Sequence, residues 1–291
     1  MNRKLKANLT GYLLILPAFT CLGVINLFPI LRNLYLSFTS WDMVIGTPQF
    51  IGLENYMELF TNSDFYKSLW VTLFYTIGYV PVSIGAGFLL AVLMVSKSRL
   101  NVIYRTAFFM PHVTSMVAMS AVFLYIYHPQ YGTINTLLNL LGLSSVPWLN
   151  QKSTALFSLV LMNVWKSMGF CAVIYLGGIL NIPEELEEAA GIDGGTWLQK
   201  LIYIKIPQVS PLTFMLVIML TIESFKVFTQ INVMTGGGPD GSTTNLLTYM
   251  FMQAFDQFRV GYGGAIAVVL LLCILFINLI QMCFERFVSY D

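Results

Sequence analysis

Four ionisable side chains, Arg32, Lys166, Glu223 and Lys226, stand inside long apolar runs of this chain. A charge near the centre of a membrane helix costs about 2.5–3.5 kcal/mol on insertion scales, which makes each of them a functional suspect. Arg32 is discounted, because near the end of its run it can snorkel towards water. Glu223 and Lys226 are three residues apart and share a helical face, where each offsets part of the other's charge. The segment NVWKSMGF places Asn163, Lys166, Ser167 and Phe170 on overlapping faces of another run. The chemistry available is hydrogen bonding and charge in an apolar setting. Bond-breaking catalysis is not indicated, since no nucleophile–base or metal constellation is present. His112 and His128, the only histidines, are 16 residues apart, and no metal site is expected. Cys21, Cys171, Cys273 and Cys283 fall in apolar blocks and read as small hydrophobes.

The elements that must carry these residues follow from composition. Of 291 residues, 57% are hydrophobic and 10% charged, against about 25% charged in a soluble domain. Six blocks reach the roughly 20 residues that a helix needs to cross a bilayer. They run Tyr12–Phe38, Leu69–Val95, Ile103–Tyr127, Ala155–Leu180, Ser210–Met234 and Tyr262–Phe284. The expected fold is all-α: a polytopic membrane protein with six transmembrane helices in one domain spanning 1–291. The first block is too long for a signal-peptide core and no small-residue cleavage site follows it, so it reads as an uncleaved anchor. An N-terminus inside puts Arg3, Lys4, Lys6, Lys97, Arg99, Arg105, Lys200, Lys205 and Arg286 on the cytoplasmic side, and Lys67, Lys152 and Arg259 outside. This asymmetry satisfies the positive-inside rule and makes both termini cytoplasmic. The net charge of +1 gives no reason to invoke nucleic acid. The outer loops are then roughly 39–68, 129–154 and 235–261, the last containing TGGGPDGSTTN, whose glycines and Pro239 indicate a tight turn.

One cytoplasmic loop, about 182–208, is a charged island: NIPEELEEAAGIDGGTWLQKLIYIKIP. Pro183 suits a first helical position. Glu184, Glu185, Glu187 and Glu188 crowd the first turns, where the helix dipole favours negative charge. Gly194 and Gly195 end this helix, and Thr196 can cap a second one running towards Pro207. Small residues at Ala189, Ala190 and Gly194 let another backbone approach. An amphipathic connector lying on the membrane is one reading. Such connectors usually carry a basic polar face, so the acidic start favours a protein partner.

Glu188-Ala189-Ala190, then Gly194, then Ile204-x-Ile206-Pro207 resembles the EAA signature of the permeases of ABC importers. Ile206 stands where the family commonly has leucine, and Gly195 where alanine is common. NIPEELEEAAGIDGG resembles the longer form found in the carbohydrate-uptake, maltose-type branch. FFMPHVTSMVAMSAVFLYIY with YGTIN, then PWL, then FKVFTQINVMTGGGP follow in the family's order and spacing. The resemblance implies a bacterial inner-membrane permease for di- or oligosaccharides whose island is the coupling helix. Glu188, Ala189, Ala190, Asp193 and Gly194 would meet one of two cytoplasmic ATPase subunits. ATP and Mg²⁺ would sit on those subunits, in keeping with the lack of a G-x-x-x-x-G-K-[ST] loop here: GGTWLQK and GGGPDGST both fail its spacing. The other implied partners are a second, homologous permease, an external solute-binding protein, membrane lipid and a sugar substrate.

Within the family, polar residues of the fourth and fifth spans contact sugar. By alignment on shared landmarks, Asn163 and Ser224 occupy such positions, while Val227 and Lys166 depart from the maltose pattern. Asn163, Lys166, Ser167, Phe170, Glu223, Ser224 and Lys226 are the expected substrate path, with Trp165, Phe170, Phe225 or Phe228 as the flat face for a sugar ring. Glu223 and Lys226 could equally be a structural ion pair. Gly236, Gly237, Gly238 and Pro239 belong to the segment that would reach the binding protein. A polyol phosphate such as glycerol phosphate is the alternative cargo, because Lys166 and Lys226 could face a phosphate. A channel or secondary transporter working without an ATPase is the alternative from another class.

Overall fold

A computed structural model describes residues 3–42, 47–95 and 99–288. Among these residues the chain is helical, with one isolated bridge between Thr39 and Phe50 and no strand. The helices are α1 (Arg3–Leu22), α2 (Phe28–Leu36), α3 (Glu54–Thr61), α4 (Ser63–Leu93), α5 (Arg99–Val113), α6 (Met116–Ile126), α7 (Thr133–Leu140) and α8 (Lys152–Leu180). They continue as α9 (Glu184–Ile192), α10 (Trp197–Lys200), α11 (Ile206–Gln208), α12 (Ser210–Phe225), α13 (Thr229–Met234), α14 (Leu246–Phe251) and α15 (Val260–Val288). Turns of π-helix at Gly23–Leu27, Leu201–Lys205 and Met252–Asp256 join α1 to α2, α10 to α11, and follow α14.

Four helices are long and apolar enough to cross a membrane unbroken: Tyr12–Leu36, Ser63–Leu93, Lys152–Leu180 and Val260–Cys283. The other two expected spans are corrected. Ile103–Tyr127 is two helices, α5 and α6, meeting at 101°. Pro111 contributes by lacking the N–H that would bind the Ala107 carbonyl. Ser210–Met234 is also interrupted: α12 stops at Phe225, short of a full crossing, and bends 63° from the Trp197–Gln208 segment before it. With each bent pair counted as one crossing, the described residues hold up to six.

The chain divides into two compact units, Met1–Asn62 with Met250–Leu271 and Ser63–Tyr249 with Leu272–Asp291. In the first, the apolar Tyr12–Leu36 run is mostly exposed within the chain, with Leu36 buried at its end. Asn55 ties its end to α3 by donating to the carbonyls of Ser37 and Thr39 (both 2.9 Å), and Arg259 pairs with Glu58 at 2.5 Å. In the second, α8 is the hub, packed against α4, α5 and α12. Small residues set these approaches. A Cβ at Gly169 would collide with the Phe108 carbonyl of α5, and one at Gly87 with Cys171. Lys97 lies outside the described residues, as do the side chains of Arg3, Lys4, Lys6, Arg99 and Arg286 on which the orientation argument draws. All four cysteines are free.

Crowding at the α5–α8 contact is directly measurable. Gly169→Ala is expected to destabilise the protein by about 1–3 kcal/mol, the usual cost of overpacking, read as a lower unfolding midpoint in detergent. Gly85→Ala, which meets open space, should leave that midpoint unchanged or slightly raised.

Candidate functional site

The break between α5 and α6 and the break between α12 and α13 face one cavity of about 400 Å³ in the second unit. Asn163, Lys166, Ser167, Glu223 and Lys226 of the expected path line it. His112 and Met116 join from the first break, and Val227, Phe228, Thr229 and Gln230 from the second. Two expected path residues do not line it. Ser224 is fully buried, its hydroxyl donating to the Thr221 carbonyl (2.7 Å) and lying 2.8 Å from the Thr76 hydroxyl. Phe170 lies behind the wall, stacked on His112 at 4.4 Å. Among the aromatics offered for a sugar ring, Phe228 lines the cavity; Trp165 packs on Phe123 and Phe225 is wholly buried.

Lys166 has a defined task. Its ammonium donates to the carbonyls of Pro111 (3.1 Å), His112 (2.6 Å) and Thr114 (2.9 Å) at the end of α5. Three donors meet three acceptors, so the ammonium holds no free hydrogen for a ligand. A cation at a helix C-terminus is also favoured by the dipole. The second break is met in the same manner. Asn245, 1% exposed, donates to the Val227 carbonyl at 2.5 Å and accepts from the Thr248 N–H at 2.8 Å, capping α14. Glu223 and Lys226 form no ion pair within 4 Å. Lys226 sits at the end of α12, its N–H bonded to the Glu223 carbonyl, and both side chains are exposed.

Sequence reasoning missed the residues behind the wall. The Tyr79 hydroxyl, fully buried on α4, lies 2.7 Å from Ser167 Oγ and 3.4 Å from a Glu223 oxygen. Tyr75 packs beside it in a tilted arrangement at 5.9 Å and faces the Asn163 and Gln230 amides without reaching hydrogen-bond geometry. A signal was present in the sequence: Thr72, Tyr75, Thr76, Tyr79 and Ser83 recur at helical spacing as one polar stripe.

The 182–208 island folds as a helical elbow. Glu184, Glu185 and Glu187 occupy the first turn of α9, with Pro183 as its cap, one position earlier than expected. Gly194, at φ +75°, ends it: Gly195 N–H bonds to Ala190 O (2.8 Å) and Gly194 N–H to Gly191 O (3.2 Å). That is the Schellman arrangement, which needs a left-handed residue at this point. Thr196 and Gln199 form a reciprocal capping box at the start of α10. Lys200 donates to the Glu187 carbonyl (2.7 Å) and Lys205 pairs with its carboxylate (3.2 Å), bracing the two arms. No side chain of α9 is buried, and Ile192 is 87% exposed beside Trp197 and Leu198. Ala189, Asp193 and Gly194 are exposed and Ala190 is half-buried.

The glycine-rich loop is tightly bonded. Gly236 and Gly237 adopt positive φ, and Thr243 N–H and Thr244 Oγ1 both donate to the Gly237 carbonyl. Thr243 Oγ1 donates to the Gly238 carbonyl, and Leu246 N–H to Thr72 of α4. Gly237 is buried, Gly238 and Pro239 are half-buried, and Gly236 and Asp240 stand out at the tip, where Asp240 pairs with Lys152.

Residues 83–290 match the family described as "Binding-protein-dependent transport system inner membrane component". The chain belongs to this family. A Bacillus subtilis (strain 168) protein described as a probable ABC transporter permease, YurN, is 35% identical to this permease over 279 residues, 94% of this chain and 95% of its own. The sulfoquinovosyl glycerol transport system permease SmoG of Agrobacterium fabrum (strain C58) is 33% identical, covering 90% of this chain and 85% of its own. The trehalose/maltose transport system permease MalF of Thermococcus litoralis is 29% identical, covering 95% and 94%. In fold, the permease matches a chain of a bacterial alginate ABC transporter solved with its alginate-bound periplasmic protein (TM-score 0.86, 21% identity, 99% of this chain and 98% of that one).

Removing the Lys166 ammonium takes the donor from the His112 and Thr114 carbonyls and leaves the Pro111 carbonyl only the Thr114 N–H (3.3 Å). Lys166→Met is expected to cost about 3 kcal/mol, from the loss of charge-assisted bonds, and to speed amide exchange in the last turn of α5. Lys166→Arg should restore most of both. Unchanged exchange in Lys166→Met would show that the cap does not hold the break.

Proposed function

We propose that this permease forms one side of the translocation path for a neutral di- or oligosaccharide in an ATP-driven importer of a bacterial cell membrane. The observation carrying this reading is the cavity between the two helix breaks. Besides Lys166, its lining offers the amides of Asn163 and Gln230, the hydroxyls of Ser167 and Thr229, one carboxylate, a second ammonium and the ring of Phe228. Amides and hydroxyls both donate and accept, as sugar hydroxyls do, and an aromatic ring offers an apolar face. Relatives named for trehalose/maltose, arabinooligosaccharides and starch degradation products support the carbohydrate class. The polyol-phosphate alternative loses ground, because Lys166 is occupied and Lys226 has Glu223 three residues away on the same wall.

The 182–208 elbow docks on a cytoplasmic ATPase subunit that carries ATP and Mg²⁺, Glu188, Ala189, Ala190, Asp193 and Gly194 lying at or near the contact. Its exposed apolar residues and acidic first turn fit a protein partner. Both ends of the chain are cytoplasmic. A second, homologous permease completes the path, with two ATPase subunits beneath and an external binding protein meeting the tip of the 235–245 loop. The bonds within that loop leave Gly236, Asp240 and Gly241 as its exposed residues.

Proteoliposomes holding the permease with its partner permease and ATPase should take up arabinotriose, maltotriose or trehalose when ATP and the loaded binding protein are supplied. Excess glycerol phosphate should not compete. Uptake without the ATPase, or of glycerol phosphate alone, would overturn this function. Gly194→Val forces a β-branched residue into left-handed backbone, at a cost of about 1–2 kcal/mol. It should reduce co-purification of the ATPase subunit severalfold while the membrane yield of the permease holds.

A further inference from the structure

We infer that Tyr79 is a positioning residue for cargo selection: from behind the cavity wall, its hydroxyl fixes the Glu223 carboxylate as an acceptor for sugar hydroxyls. This rests on the sugar-path reading above. Tyr79 is wholly buried on α4, so it reaches cargo only through its neighbours. Its hydroxyl lies 2.7 Å from Ser167 on α8 and 3.4 Å from Glu223 on α12, and both neighbours line the cavity. A phenol has one proton. That proton has two acceptors in reach, Ser167 Oγ at 2.7 Å and the Glu223 oxygen at 3.4 Å, and is shared between them.

Glu223 needs such a tether. It forms no ion pair with Lys226, and the Lys166 ammonium is spent on three carbonyls. Without Tyr79 the carboxylate is an exposed side chain with several rotamers, each of which lowers the fraction poised to accept from a sugar. Lost side-chain entropy is a main cost of binding, and a group held beforehand avoids it. Tyr79 also links α8 with α12, the two helices that flank the 182–208 elbow. The carboxylate therefore stays in register with Ser167 and Asn163 on the opposite wall. Tyr75 supports the arrangement by packing against the Tyr79 ring, tilted 34° at 5.9 Å.

The test is a double-mutant cycle on the reconstituted complex, using whichever of arabinotriose, maltotriose and trehalose the wild type transports fastest. Tyr79→Phe and Glu223→Gln should each raise the half-saturating concentration about three- to tenfold, the range of a single hydrogen bond. The double variant should be no worse than Glu223→Gln alone, because Tyr79 acts through that carboxylate. A structural role for Tyr79 would instead give additive losses, and additivity overturns the inference. So does wild-type half-saturation in Tyr79→Phe, which leaves the sugar-path reading standing. Failure of the wild type to transport any of the three sugars overturns both. Thermal unfolding of each variant provides the internal control: a midpoint within about 2 °C of wild type accompanies the expected result, and a large drop with additive kinetics assigns Tyr79 to packing.

Discussion

A helix that stops inside a bilayer exposes carbonyls that lipid cannot satisfy, and each one left bare costs several kcal/mol. The functional half of this permease depends on answering that constraint twice. Lys166 answers it for α5, closing the Pro111, His112 and Thr114 carbonyls with one ammonium. Asn245 answers it for the Val227 carbonyl after α12. Without these caps the chain would have to run straight through both points. Residues 226–228 would then continue a helix, and His112 and Met116 would share a rod instead of flanking a bend. The cavity exists because the backbone is permitted to leave the helix there.

The same few elements serve packing and function together. α8 contributes Lys166 to the cap, Asn163 and Ser167 to the cavity, and Gly169 to the close approach of α5. α12 brings Glu223 to the cavity and Ser224 to the α4 contact. Behind both, the hydroxyl stripe of α4 touches Ser167 and Glu223 through Tyr79, Ser224 through Thr76, and the Leu246 N–H through Thr72. Hydrogen bonds of this kind between membrane helices are individually modest. Their value lies in fixing which faces meet.

Local features were legible in the sequence, because their causes are local. The glutamates at the start of α9, the Gly194 stop and the Thr196 cap depend on residues within a turn or two, and only the Pro183 position shifted by one. Apolar run lengths located the four unbroken crossings and the bent α5–α6 pair. The helix breaks were not legible, since the partner of the 111–114 carbonyls lies more than 50 residues away at Lys166. Without that contact, an intramembrane lysine reads as a cargo ligand. Ser224 shows the converse: a polar residue at a plausible cavity position turns inward to Thr76. Tyr79 escaped notice because tyrosine in an apolar run is ordinarily packing, although the spacing of Thr72, Tyr75, Thr76, Tyr79 and Ser83 marked one coherent face.

The division between spent and unspent polar groups bears on how such a wall can diversify. Position 166 is bound to the scaffold, so exchanging it for a different chemistry forfeits the bend before it alters selectivity. Residues 226–228 lie where regular helix has lapsed, between the end of α12 and the start of α13. Drift in cargo preference among descendants of this chain would therefore accumulate on the second break, with the lysine across from it staying fixed.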